Sequence, residues 1–192
     1  MSAWMVRIAG FLIGVIVATA VSVAPPANAQ WFFGNSGSLE GIERRLAEKH
    51  DDIDHIDADE FLSRGQPGID YVLLDVREED EFAVSHIHGA IRVDPGASAA
   101  DVNEMLQNTD TQLPLILYCS VGTRSSRLGT RLVRDSSERQ IANLRGGVFA
   151  WHNQNRLLEN AAGTTDYIHP YSRWRRGLIE RDELISTRPG TD

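Results

Sequence analysis

One stretch limits what this chain can become: Leu115-Ile-Leu-Tyr-Cys119-Ser-Val-Gly-Thr-Arg124-Ser-Ser-Arg-Leu128. An apolar, β-favouring run from Leu115 to Tyr118 stops at Cys119, the only cysteine in the chain. Ser120, Val121, Gly122, Thr123 and Arg124 follow. Ser125 and Ser126 then open a segment in which Leu128, Leu132 and Val133 recur near helical spacing. Strand, tight loop and helix N-terminus in succession turn backbone N–H groups toward one point, where the positive end of the helix also lies. Gly122 supplies the backbone freedom that so short a turn requires. Such a place favours the thiolate of a cysteine over its thiol. A lone cysteine ending a buried strand is ordinarily just a small hydrophobe. The glycine, arginine and helix start directly after Cys119 turn the reading toward a nucleophile.

Local signals place the other elements. Ser38 caps a helix reaching about residue 49, with Leu39, Ile42 and Leu46 on one face. Residues 53–56 read as a short edge strand, and Asp57 with Glu60 begins a helix that Gly65 stops. Residues 71–76 are an apolar run suited to a buried parallel strand. Thereafter the pattern predicts a helix over 78–84, a strand over 90–93 and a helix over 99–106. The central strand 115–118 follows, then a helix to about 134, a strand over 141–144 and a helix over 148–158. Strands alternating with helices imply an α/β fold: a central parallel five-stranded sheet with helices on both faces. Ligands sit beyond the carboxyl ends of such strands, where Cys119 and Asp75 both fall. In residues 159–192, Tyr167, Tyr171 and Trp174 lie among Arg173, Arg175, Arg176 and Arg181. Their spacing predicts a surface helix packed on the domain; the alternative is an extension that binds a partner or covers the active site.

The chain divides into residues 1–29, a lead-in over 30–49, a domain over 50–158 and a C-terminal extension over 159–192. Arg7, a 16-residue uncharged run over 8–23, and Ala27-Asn28-Ala29 ahead of Gln30 form a secretory signal pattern. Export to a periplasm or the exterior is therefore expected, with an uncleaved N-terminal membrane anchor as the alternative. The net charge is −8, and loss of residues 1–29 would leave −9, which argues against nucleic acid as a partner. A single cysteine excludes an internal disulfide, and in an exported chain it points to reactive use. No Cys/His cluster has zinc spacing, so no metal is expected.

Cys119-x-x-Gly122-x-Arg124-Ser125 resembles the active-site loop of single-domain rhodaneses, a sulfurtransferase family. Leu74-Asp75-Val76-Arg77-Glu78-x-x-Glu81-Phe82, followed by His86-Ile87-x-Gly89-Ala90, resembles that family's upstream block. Leu144-x-Gly146-Gly147-x-x-x-Trp151 resembles its downstream block, with Trp151 as a fold signature in the last helix. Order and spacing agree over about residues 50–157. The resemblance implies a rhodanese-like fold in which Cys119 takes sulfane sulfur from thiosulfate or a similar small anionic donor. The persulfide so formed then passes its sulfur to a thiol or cyanide, with no metal or organic cofactor. The N–H groups of residues 120–124 would hold the anionic sulfur. Arg124 would either grip the oxyanion end of the donor or brace the loop against a carboxylate. Asp75 is one candidate partner, and Glu81 with Arg77 forms a possible second brace. For Asp75, Arg77 and Glu81 a fold-supporting ion network is the expected role; for His86 and His88, turn packing.

Two departures from the family pattern bear on function. Ser85-His86-Ile87-His88-Gly89-Ala90 stands where the family has Gly-His-Ile-Pro-Gly-Ala, a change tolerable in a turn. Positions 120 and 121 are Ser and Val, without the cations that some thiosulfate-using rhodaneses carry in this loop, which leaves the donor open. Cysteine phosphatases and some arsenate reductases use a similar cradle, generally with five residues between Cys and Arg; here there are four, a loop better fitted to a single sulfur atom. A non-enzymatic reading remains beside these: a sulfur carrier, redox sensor or binding module with little turnover.

Overall fold

The computed structural model describes residues 37–110, 112–135 and 139–190. The expected signal sequence and nearly all of the lead-in before the first helix lie outside them. Among the described residues no helix is long and apolar enough to cross a membrane.

Ser38 accepts a hydrogen bond from the Gly41 N–H at 3.2 Å and starts α1 (Leu39–Lys49). The edge strand β1 (Asp54–Ile56) follows, then α2 (Ala58–Ser63), capped by Asp57, whose carboxylate accepts from the N–H groups of Asp59 and Glu60. The chain continues through β2 (Val72–Asp75), α3 (Glu79–Val84), β3 (Ile91–Arg92), α4 (Ala99–Met105), β4 (Leu115–Tyr118), α5 (Thr123–Arg134), β5 (Ile141–Leu144) and α6 (Gly147–Asn153). The five strands pair in parallel in the order β1-β5-β4-β2-β3, so β4 is central.

Both faces of the sheet are buried, and the strict alternation of side chains sorts them into two cores. Leu73, Ile116, Tyr118, Ala142 and Leu144 pack with Ile42 and Leu46 of α1, Phe61 of α2, and Val148, Phe149 and Trp151 of α6. Val72, Leu74, Leu115, Leu117 and Ile141 pack with Val102 of α4 and with Leu128 and Leu132 of α5. Every residue of β2, β4 and β5 is buried, as their apolar runs require. Pairing of Asp75 with Tyr118 sets the carboxyl ends of β2 and β4 side by side, directly before Cys119.

Three differences from expectation exceed a residue or so at an element's end. Helix α5 begins at Thr123, two residues earlier than the serine pair suggested. Gly122, at φ +89°, ends the turn in the left-handed region, so Thr123 and Arg124 are already helical and the loop proper is Cys119 to Gly122. Helix α6 ends at Asn153, not 158: Asn155 takes φ +56°, and the chain leaves the helix before its two leucines. Leu158 then opens β6 (Leu158–Asn160), which pairs antiparallel with β7 (Gly163–Thr165).

The tail is the third difference. It forms this hairpin and two single 3-10 turns, Arg176–Leu178 and Asp182–Leu184, in place of a packed surface helix. Pro170 has no N–H to donate to a helix there, and the aromatic residues do not share a packed stripe. Trp174 is 92% exposed, while Ile168 and Ile179 enter the core.

Candidate active site

Cys119 follows directly on β4, and its side chain is buried among the apolar residues between β4 and α5. Two carbonyls of the loop point away, toward α6. Val148 N–H donates to the Cys119 carbonyl at 2.9 Å, and Phe149 N–H to that of Ser120 at 3.1 Å. This grip requires Gly147. A Cβ there would lie 2.1 Å from the Cys119 oxygen, and the residue sits at φ +56°. With the carbonyls held on that side, the N–H groups of residues 120–124 have no acceptor among the described residues. Helix α5 has no side-chain cap. Its two leading serines turn elsewhere: Ser125 Oγ donates to Asn143 Oδ1 at 2.6 Å, and Ser126 Oγ to the Gly122 carbonyl at 2.8 Å. Open N–H groups thus follow Cys119 at the positive end of a twelve-residue helix.

Arg124 pairs with Glu81 and not with Asp75. Its Nη1 lies 2.6 Å from Glu81 Oε2, and its Nη2 2.8 Å from Glu81 Oε1 and 2.8 Å from Ser120 Oγ. Ser120 Oγ in turn donates to Glu81 Oε1 at 2.7 Å. Burial works against the carboxylate form of Glu81, but the hydrogen bonds and charge of Arg124 outweigh it and hold Glu81 below its ordinary pKa. Burial likewise opposes the Arg124 charge, and Glu81 together with the nearby Cys119 sulfur raises its pKa above the usual guanidinium value.

Asp75 is taken up by Arg77, both fully buried. Arg77 Nε donates to Asp75 Oδ1 at 2.8 Å, and Nη2 donates to Asp75 Oδ2 and to the Ser85 carbonyl, each at 2.6 Å. The pair ties the end of β2 to the turn after α3. Each arginine is thus paired with a carboxylate, and the carboxylate that meets the Cys119 loop is Glu81.

Of the residues singled out in the sequence, Cys119, Ser120, Val121, Gly122, Thr123 and Arg124 come together as one strand-to-helix turn, while Asp75, opposite Tyr118 on the adjacent strand, pairs with Arg77. His86 and His88 sit in a turn, where the His86 ring bonds the Phe82 carbonyl and His88 pairs with Glu159. Trp151 packs in the core and donates from Nε1 to the Leu157 carbonyl at 2.9 Å. Among the described residues no group of three His, Cys, Asp or Glu side chains is placed to hold a metal ion.

Two contributors were not expected from sequence. Gly147 stood in a quoted motif, but nothing local announced that it backs onto Cys119. Tyr171, from the tail, lies with its ring centroid 4.6 Å from the Arg124 guanidinium carbon.

A profile of the rhodanese-like domain matches residues 57–154. The chain belongs to the rhodanese-like family. This rhodanese-like chain is 28% identical over 99 residues to thiosulfate sulfurtransferase GlpE of Coxiella burnetii, a match covering 52% of this chain and 84% of that one. It is 30% identical over 123 residues to the mitochondrial protein HIGH ARSENIC CONTENT 1 of Arabidopsis thaliana, covering 59% and 68%. Among solved structures, thiosulfate sulfurtransferase from Pseudomonas aeruginosa aligns at 28% identity with a TM-score of 0.52. That alignment takes in 66% of this chain and only 23% of the longer one. Hairpin β6–β7 and the tail after it lie outside the matched domain.

Proposed function

We propose that this rhodanese-like protein is a sulfurtransferase that carries sulfane sulfur on Cys119. The observation that carries the reading is the single nucleophile set among unpaired loop N–H groups at the uncapped start of α5. With thiosulfate as donor, the Cys119 thiolate attacks the outer sulfur. The Cys119–S bond forms as the bond to the sulfonate sulfur breaks, and sulfite leaves with that electron pair. The product is an anionic Cys119 persulfide, and the N–H groups of residues 120–124 are positioned to stabilise its charge. Cyanide or a thiolate then attacks the outer sulfur and returns the Cys119 thiolate, giving thiocyanate in the first case. Arg124, engaged by Glu81 and Ser120, holds the loop and lends positive charge to the site. A phosphatase reading is disfavoured by the same contact, because it would need that guanidinium for a phosphoryl group.

Intact-protein mass spectrometry before and after thiosulfate, with Cys119→Ser in parallel, tests this. The expected result is a gain of one sulfur atom by the wild type alone, removed by cyanide. No gain with thiosulfate or another sulfane donor would overturn it. A second reading, a carrier that exchanges sulfur only with a dedicated partner, draws on the burial of Cys119, which is 1% exposed. Loading without steady thiosulfate:cyanide turnover would favour the carrier. Export is inferred from residues 1–29, and a native N-terminus at Gln30 is the expected outcome of N-terminal sequencing.

A further inference from the structure

The C-terminal extension reaches the Arg124 side chain through Tyr171. Its segment 168–186 is closed at the base: Ile168 N–H donates to the Leu184 carbonyl at 2.9 Å, and Ser186 N–H to that of Ile168 at 3.0 Å. Ile168 and Ile179 anchor it in the same core as α1 and α6. From this base the chain runs through His169 and Pro170 to Tyr171, which sits at φ +61°. That region is unfavourable for a residue with a Cβ and persists only where the surroundings impose it. The imposing contacts are present. His169, itself buried, accepts the Tyr171 N–H on Nδ1 at 3.1 Å, and the Tyr171 ring lies against Arg124. Glu81 and Ser120 hold the guanidinium by hydrogen bonds, and its carbon lies over the Tyr171 ring.

We propose that Tyr171 is a positioning residue of the active site, whose ring keeps the Arg124 guanidinium in the Glu81-paired geometry and so keeps its positive charge beside Cys119. The inference rests on the sulfurtransferase reading for its kinetic consequence, but not for its electrostatic one. An arginine free to swing into solvent would give the anionic donor and the anionic persulfide less stabilisation. The contact is made by a segment outside the matched rhodanese-like domain, so this chain's donor preference depends in part on a device that the domain alone does not supply.

Tyr171→Gly separates this role from a structural one, because it removes the ring and also relieves the positive φ. The expected result is a loss of about 2- to 10-fold in kcat/KM for thiosulfate, the range of a partly exposed cation–π contact, with a melting temperature unchanged or raised. Tyr171→Phe, which keeps the ring, should restore most of the loss. Trp174→Ala, at an exposed position of the same segment, serves as control and should change neither quantity. The second readout needs no turnover: the ratio of Cys119 alkylation rates with anionic iodoacetate and neutral iodoacetamide, followed by intact mass. That ratio should fall in Tyr171→Gly and recover in Tyr171→Phe. If the wild type turns over no sulfane donor, the sulfurtransferase reading fails and the ratio alone decides the role of Tyr171. An unchanged ratio, a loss that Phe does not restore, or a loss that tracks a lowered melting temperature overturns the proposal.

Discussion

Replacing Gly147 by alanine tests whether α6 sets the position of the Cys119 loop. The added Cβ would lie 2.1 Å from the Cys119 carbonyl oxygen and 2.9 Å from both the carbonyl carbon and oxygen of Ser120. These are backbone atoms, so no side chain can swing aside, and loop and helix must part by about an ångström to reach van der Waals contact. Parting them weakens the hydrogen bonds from Val148 and Phe149, each contributing about 1 kcal/mol. The left-handed conformation at φ +56° adds about 1–2 kcal/mol for a residue with a Cβ. The expected destabilisation is therefore about 3–4 kcal/mol, a large share of the roughly 5–15 kcal/mol that holds a typical domain together. Gly68→Ala is the matched control. Its φ is +78° and nothing lies within 4 Å of the added atom, so only the conformational cost of about 1–2 kcal/mol applies. The two variants should differ by about 2 kcal/mol in urea unfolding, or about 4–8 °C in Tm. Below its melting temperature Gly147→Ala should also load sulfur more slowly, while Gly68→Ala should match the wild type. Equal stability of the two variants would refute the argument about backbone contact. A destabilised Gly147→Ala that loads sulfur at the wild-type rate would refute the claim that α6 places the loop.

Other outcomes follow from the buried charges. Glu81→Gln should cost about 2–3 kcal/mol near neutral pH, because it leaves Arg124 without its anion. The Glu81 carboxylate has its pKa lowered by folding, so its contribution is present above the unfolded value and is lost as pH falls through the folded one; the variant should show a flatter acid limb in Tm against pH. Arg77→Met should cost about 3–5 kcal/mol by stranding Asp75, and adding Asp75→Leu should recover much of that loss, as measured by urea unfolding. Burial lowers the pKa of His152, which therefore stabilises the neutral-pH fold and stops doing so as pH falls below the ordinary histidine range. Tm should decline on acidification below about pH 6.5, and His152→Gln should reduce that slope by up to about 1.4 kcal/mol per pH unit.

Features written within a few residues of one another were legible from the sequence alone. The caps Ser38 and Asp57, the apolar runs of β2, β4 and β5, and the turn from Cys119 into α5 all depend on contacts at short spacing or on the buried-strand pattern. The alternation of such elements was enough to imply a five-stranded parallel sheet, and with it the place of Cys119 at a strand's carboxyl end. Where two local signals competed, the element boundary slipped. Ser125 and Ser126 looked like the start of α5 but lie inside it, bonding to Asn143 and Gly122, and Leu157 and Leu158 looked helical but follow a left-handed asparagine.

Tertiary structure alone decided the pairings between distant parts of the chain. Asp75 and Glu81 both precede the loop by about forty residues, and both are acids near arginines, so local sequence does not say which meets Arg124. In the folded chain Asp75 is taken by its near neighbour Arg77, and Glu81 meets Arg124 from 43 residues away. Gly147 against Cys119 and Tyr171 against Arg124 are contacts of the same kind. A residue's local propensity depends on its near neighbours, whereas its partner across the fold depends on where every intervening element has been packed.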